Sequence, residues 1–258
     1  MSNIIFEIKK IKKTFQIPFS LIIMTMLLHL PILINIYFYN TEYKSPLQYI
    51  YDSQAFNNSF ILPIIVIVYY YWFFSHDYRF RTLKYRVNTG AKFYELVISK
   101  FIAASLSFLI VYLISISIFI FTAFVFSESN IIVSGYEILG KLDTLLYLTL
   151  YFFALLIFLV GIGTLSAFLT TLFKGHITSI FITIIILILY TSIGIKNVFI
   201  NNIIFLRGAF LFSGLEDIKA SGSVIIVTMF GTLCFIAFTV YALVVISEKK
   251  KEYFYEKN

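Results

Sequence analysis

An all-α polytopic membrane protein is predicted by three observations on this 258-residue chain. Hydrophobic residues make up 60% of it and charged residues 13%, against about 45–50% and 25% in soluble domains. The apolar residues come in long unbroken runs with the charges between them, and mean hydropathy is +0.93. A soluble fold of this length could not hide so much apolar surface, since a large share of its area must face water. The runs are continuous rather than ten-residue alternations, which excludes a membrane β-barrel. One membrane domain spanning 1–258 is the expected organisation.

Residues 1–16 read as an interfacial helix. Ile4, Ile8, Ile11 and Phe15 recur at helical spacing, and Lys9, Lys10, Lys12 and Lys13 fill the other face. Such a helix lies in the headgroup plane with its lysines near anionic lipid, so membrane lipids are an expected partner. No small-residue cleavage site follows it, and the next apolar run is too long for a signal peptide.

Six apolar stretches follow, at 17–39, 55–75, 101–126, 144–172, 177–195 and 223–247, none containing Asp, Glu, Lys or Arg. A bilayer core of roughly 30 Å needs about 20 helical residues, which predicts six transmembrane helices. In the second the strictly apolar part spans only Phe60 to Phe74, and the fourth is long enough to tilt. Between the fifth and sixth, the outer loop 196–222 holds the apolar runs Ile203–Leu206 and Phe210–Phe212. Short helices dipping into the membrane surface would keep those runs out of water. No internal repeat is evident.

Loop charges orient the spans. The N-terminus, 76–100, 173–176 and the C-terminus carry Lys9, Lys10, Lys12, Lys13, Arg79, Arg81, Lys84, Arg86, Lys92, Lys100, Lys174, Lys249, Lys250, Lys251 and Lys257. The opposite side holds only Lys44, Lys141, Lys196, Arg207 and Lys219. Positive charge collects on the cytoplasmic side, so both termini are expected there. The net charge of +7 is thereby a topology signal, and no nucleic-acid partner is expected. Heavy use of Asn, Ile, Lys and Tyr suggests an AT-rich bacterial genome, and hence the bacterial plasma membrane. The single Cys234 permits no disulfide within one chain.

Few residues in the spans carry chemistry. His29, two positions before Pro31, is the one clearly titratable group inside them, and packing or pore lining is its favoured role over proton transfer. Gly161, Gly163, Ser166, Ala167 and Thr170 form a small, weakly polar face suited first to close helix packing and second to lining a pathway. Tyr69, Tyr70, Tyr71 and Trp72 read as an interfacial aromatic anchor. Gly135 to Lys141 mimics the start of a phosphate-binding loop, but Leu142 stands where Ser or Thr would hold magnesium, and the segment faces outward. The three histidines form no zinc helix, and no GxSxG elbow is present. His76-Asp77 reads as a solvated helix end. No catalytic, metal or cofactor site is expected on the chain.

The most specific segment is HDYRFRTLKYRVNTGAKFYELVISK, residues 76–100, between the second and third spans. Asp77, Arg81-Thr82-Leu83, Gly90-Ala91-Lys92 and Lys100 give it an acidic residue at the span's end, a short basic-apolar stretch, a small-residue turn and a lysine opening the next span. In this pattern, and in its amphipathic start, six spans and apolar outer excursion, the chain resembles the ABC-2 type permeases. Phe80-Arg81 depart from a glycine common there, and no proline stands near Gly90.

The resemblance implies a membrane subunit working as a homodimer with two cytoplasmic ATPase subunits, which would hold the ATP and magnesium. It makes Leu83–Tyr94 a coupling helix. Leu83, Val87 and Phe93 would dock in the ATPase, with Tyr94 beside them, while Asp77, Arg81, Lys84 and Lys92 flank the contact. Small separate permeases of this kind resemble bacteriocin-immunity and phenol-soluble modulin exporters, so a hydrophobic or amphipathic cargo, favouring a peptide, is expected to leave the cell. Two other classes stay open at this point: an integral membrane enzyme modifying lipid, and a non-transporting scaffold or sensor subunit.

Overall fold

The computed structural model describes residues 2–13, 16–39, 50, 61–79, 90, 92–126, 141–194 and 229–246. Among the described residues there are helices and no strands. In chain order they are α1 (Ser2–Lys13), α2 (Gln16–Tyr39), α3 (Leu62–Arg79), α4 (Phe93–Phe126), α5 (Lys141–Leu172), α6 (Thr178–Gly194) and α7 (Met229–Ile246).

Each predicted span has a helix, with shifted ends. Pro18 and Pro63 stand in the first turns of α2 and α3, where a missing N–H costs nothing. Pro31 lies inside α2 and removes one of its backbone bonds. α4 begins at Phe93, eight positions earlier than the apolar run, and so takes Glu95 and Lys100 into the helix. The outer loop 196–222 lies outside the described residues.

Four helical stretches are long and apolar enough to cross a membrane: Ile17–Phe38, Phe93–Val125, Phe152–Leu172 and Met229–Ile246. The described apolar parts of α3 and α6, Leu62–His76 and Thr178–Leu189, are shorter. Fifteen helical residues reach about 22 Å, less than a full hydrocarbon core.

The distribution of side chains is the inverse of a water-soluble bundle. Phe121, Phe230, Phe238 and Tyr241 are each 69% exposed, whereas Ser115 and Thr170 are fully buried. Lipid accepts the aromatic faces, and the hydroxyls find partners only inside the protein. This places the chain in a membrane, crossing it several times.

Helix packing follows the size of the residues. α3 lies closest along α5, where Gly163, Ser166, Ala167 and Thr170 let the backbones approach. A Cβ built on Gly163 would overlap the ring of Tyr70, so the glycine is the notch in which that ring sits. Ser166 Oγ donates to the Ile67 carbonyl across the same contact at 2.9 Å. α6 packs on α5 and α3, while α2 and α1 both pack chiefly on α4.

The α5–α6 connection is a tight C-cap. Gly175 N–H reaches back to the Thr170 carbonyl at 2.7 Å, and Lys174 N–H to Thr171 at 3.3 Å. These are the two bonds of a Schellman turn. Its left-handed position is filled by Lys174, at φ 53°. Gly175 follows at φ 76°, and a Cβ there would come within 2.8 Å of the Tyr78 Cβ. Tyr71 Oη donates to the Gly175 carbonyl at 3.2 Å, fastening the turn to α3.

A Gly163→Ala substitution is expected to cost about 1–3 kcal/mol by overpacking, read as a lower midpoint of thermal unfolding in detergent. Gly231→Ala, with nothing within 4 Å of its Cβ, should be neutral or slightly stabilising. Equal effects at the two sites would refute the notch.

Candidate functional site

The basic end of the bundle is assembled from four elements: α1, the end of α3, the start of α4 and the α5–α6 turn. Lys100 on α4 is 3% exposed, and its Nζ lies 5.7 Å from the ring centroids of both Phe73 and Phe74 on α3. An ammonium held over two ring faces is attracted by their quadrupoles, about 2 kcal/mol or more when desolvated. This cation was expected in the loop, and the structure instead buries it. The only sequence signal for that was its position directly before an apolar run whose inward face carries Ala104, Phe108 and Val111.

α1 packs against α4 with Glu7 turned inward, 1% exposed. Ile5, Phe6 and Ile8 are outward at 47%, 53% and 42%. Ile8 of the apolar stripe is thus outward, with Ile5 and Phe6 beside it. Where lipid is the surroundings, the carboxylate belongs on the protein side and the aliphatic groups outside.

The predicted coupling residues fall into two groups. Arg81, Leu83, Lys84 and Val87 lie outside the described residues, as does the side chain of Asp77 within α3. Lys92, Phe93 and Tyr94 are described at the start of α4, with Gly90 in the preceding turn. Lys92 is exposed and sits 5.9 Å from the Tyr94 ring. Tyr94 Oη approaches Glu95 Oε1 at 3.5 Å. Phe93 is 2% exposed and belongs to the chain's own hydrophobic core.

Deeper in the bundle, His29 joins α2 to α4. Its Nδ1 is 2.7 Å from the Thr25 carbonyl, which can only accept, so Nδ1 carries a proton. Its Nε2 is 2.7 Å from Thr122 Oγ1, and its ring stands edge-on to Phe119 at 5.4 Å. Thr25 Oγ1 donates to Ser115 one turn below, at 3.2 Å. Both ring nitrogens are therefore engaged, Nδ1 within α2 and Nε2 across to α4.

Tyr69, Tyr70 and Tyr71 are not an interfacial anchor. They are 7%, 0% and 6% exposed, and only Trp72 of that cluster faces outward, at 41%. Tyr69 Oη lies 2.6 Å from Ser107 Oγ. Ser107 directs its own proton to the Ala103 carbonyl at 2.8 Å, so Tyr69 is the donor. Tyr70 Oη pairs with Ser105 at 2.9 Å. The serines at 105 and 107, in an otherwise apolar helix, were the available signal for these partners.

The small face of α5 is occupied by packing. Gly161 accepts from Thr164 at 2.7 Å, and Thr164 accepts from Thr239 on α7 at 3.1 Å. Thr170 donates to the Ser166 carbonyl at 2.7 Å and meets Ser179 on α6 at 3.2 Å. Among the described residues, no three His, Cys, Asp or Glu groups come together as metal ligands.

Residues 3–190 match the sequence profile of a family described as ABC-2 family transporter protein. The chain belongs to the ABC-2 transporter family. The match covers α1 to α6 apart from the last turn, including the whole basic end. No curated protein and no solved structure matches the chain. This ABC-2 protein is a multi-pass membrane component of a transporter, and membership of that family goes with an ABC ATPase as partner.

In this ABC-2 protein the Lys100 cage is expected to be energetically coupled. A double-mutant cycle between Lys100→Met and Phe73→Leu/Phe74→Leu should give about 1 kcal/mol or more of coupling in unfolding free energy. Additive effects would mean that the rings do not hold the charge.

Proposed function

We propose that this ABC-2 permease is the membrane subunit of an ATP-driven exporter, crossing the bacterial plasma membrane six times with both termini in the cytoplasm. Its membership of the transporter family carries the reading. Two copies of the chain and two copies of a separate ATPase make the working unit, with ATP and magnesium held by the ATPase. α3 and α6 complete the six spans, extended by neighbouring residues, or by local thinning of the bilayer around them.

The segment from Asp77 to Tyr94 is the coupling element. Leu83 and Val87 dock in the ATPase, and Arg81, Lys84 and exposed Lys92 meet acidic groups or lipid headgroups. Tyr94 supports Lys92 at the edge of the contact. Phe93 fixes the start of α4 by its burial, so that a displacement of the segment is passed into the helix. Closure of the ATPase pair on ATP then biases the permease between inward-open and outward-open states.

The cargo in this reading is hydrophobic or amphipathic, with an amphipathic peptide favoured. Support comes from the composition of the spans, which are rich in aromatic side chains and poor in charge. Such an interior offers few charged groups to replace the hydration of an ion.

Tagged chain purified in mild detergent should bring down an ATPase, and Leu83→Asp/Val87→Asp should lose it while keeping the chain's elution profile. A complex that survives both charges would place the contact elsewhere, and a chain with no ATPase under any nucleotide condition would sink the transporter-subunit reading. For topology, in a Cys234→Ser background, Lys219→Cys should react with an impermeant maleimide on intact cells. Lys250→Cys should react only after permeabilisation, and the reverse pattern would invert the topology.

A further inference from the structure

The helices divide into two groups according to how closely their backbones approach. α1, α2 and α4 pack chiefly on one another, and α3, α5 and α6 do the same. Contacts between the groups, through α3–α4, α4–α5 and α2–α3, are sparser. α7 joins the second group through the Thr239–Thr164 bond.

The chemistry of the contacts differs in the same way. Inside each group the links come mostly from short side chains on neighbouring backbones: Thr25 to Ser115, Ser166 to the Ile67 carbonyl, Thr170 to Ser179. Between the groups they come from the tips of long ones. Tyr69 and Tyr70 reach Ser107 and Ser105, Tyr112 Oη reaches the Phe152 carbonyl at 2.9 Å, and Lys100 reaches the rings of Phe73 and Phe74. Phe101 and Phe108 fill the rest, each about 6 Å from the Tyr70 ring. Close-set glycine, serine and threonine contacts lock helices in one register. Long side chains whose polar tips lie far from their own backbone can keep a contact while the helices behind them slide, as in shear motions.

The chain passes between the groups three times, from α2 to α3, from α3 to α4 and from α4 to α5. Residues 80–92 leave α3 in one group and enter α4 in the other. We infer that the permease works as two helix groups that slide along the Tyr69–Tyr70–Lys100 seam during the ATPase cycle. This deepens the exporter reading and rests on it.

Spin-label distances test the device in the complex purified with its ATPase, in a Cys234→Ser background, with labelled chain diluted into unlabelled chain. Val68→Cys and Leu106→Cys, both lipid-exposed, span the seam. Leu33→Cys with Phe121→Cys lies inside the first group, and Ile64→Cys with Ile185→Cys inside the second. ATP, magnesium and vanadate should shift the seam distance by about 2 Å or more, with the two control distances unchanged. Tyr69→Phe/Tyr70→Phe, which keeps both rings, should broaden the seam distribution without nucleotide and leave the controls narrow. Control pairs that move as far as the seam pair, or a seam that stays fixed while the complex hydrolyses ATP, would overturn the two-group device alone. Failure to recover any ATPase would overturn the exporter reading beneath it.

Discussion

A hydroxyl or peptide group left unmet in hydrocarbon costs several kcal/mol, and lipid offers it no partner. The whole arrangement follows from that constraint. Serine and threonine in α4, α5 and α6 return their protons to carbonyls three or four residues back, as Ser107, Thr171 and Thr183 do. Having met that need locally, each oxygen still has lone pairs to offer a neighbour. Tyr69 uses Ser107 in this way, and Thr239 uses Thr164. Interhelical bonds of this kind are worth about 0.6 kcal/mol on average in a membrane, so they set which faces meet more than they set total stability.

Charge obeys the same constraint at the basic end. An ammonium that cannot keep its water needs a concentrated substitute, and Lys100 finds part of one in two phenylalanine faces. Glu7 faces inward on α1, with Ile5, Phe6 and Ile8 turned out. The amphipathic N-terminal helix is thus attached to the permease by its polar side as well as to the membrane by its apolar side. It brings a buried carboxylate to the side of α1 that packs within the bundle.

The helices themselves were legible because runs of about 20 apolar residues have few other uses. Their inward faces were much less so. α2, α4 and α6 are apolar all round, and such a helix carries no stripe from which to read its orientation. Tyr69 to Tyr71 illustrate the difficulty: near a span's end, tyrosine serves equally as an anchor in the headgroups or as a buried donor, and only the serines of α4 decide which. The inward place of Glu7 on α1 has the same origin, since a helical period cannot show which single polar residue turns to the protein. The small face on α5 was legible, because glycine is a poor choice in a helix unless something must come close. What comes close to Gly163, the ring of Tyr70, lies almost a hundred residues away in sequence and left no local trace.

The capped turn between α5 and α6 has a consequence for biogenesis. Its bonds at Thr170 and Thr171 are local, and its apex carries a lysine that resists being drawn through the bilayer. Two apolar helices joined by so short a connection can leave the ribosome and enter the membrane together as a hairpin. The translocation machinery then has one insertion event to complete where two separate spans would need two, and the register between α5 and α6 is set within the hairpin itself.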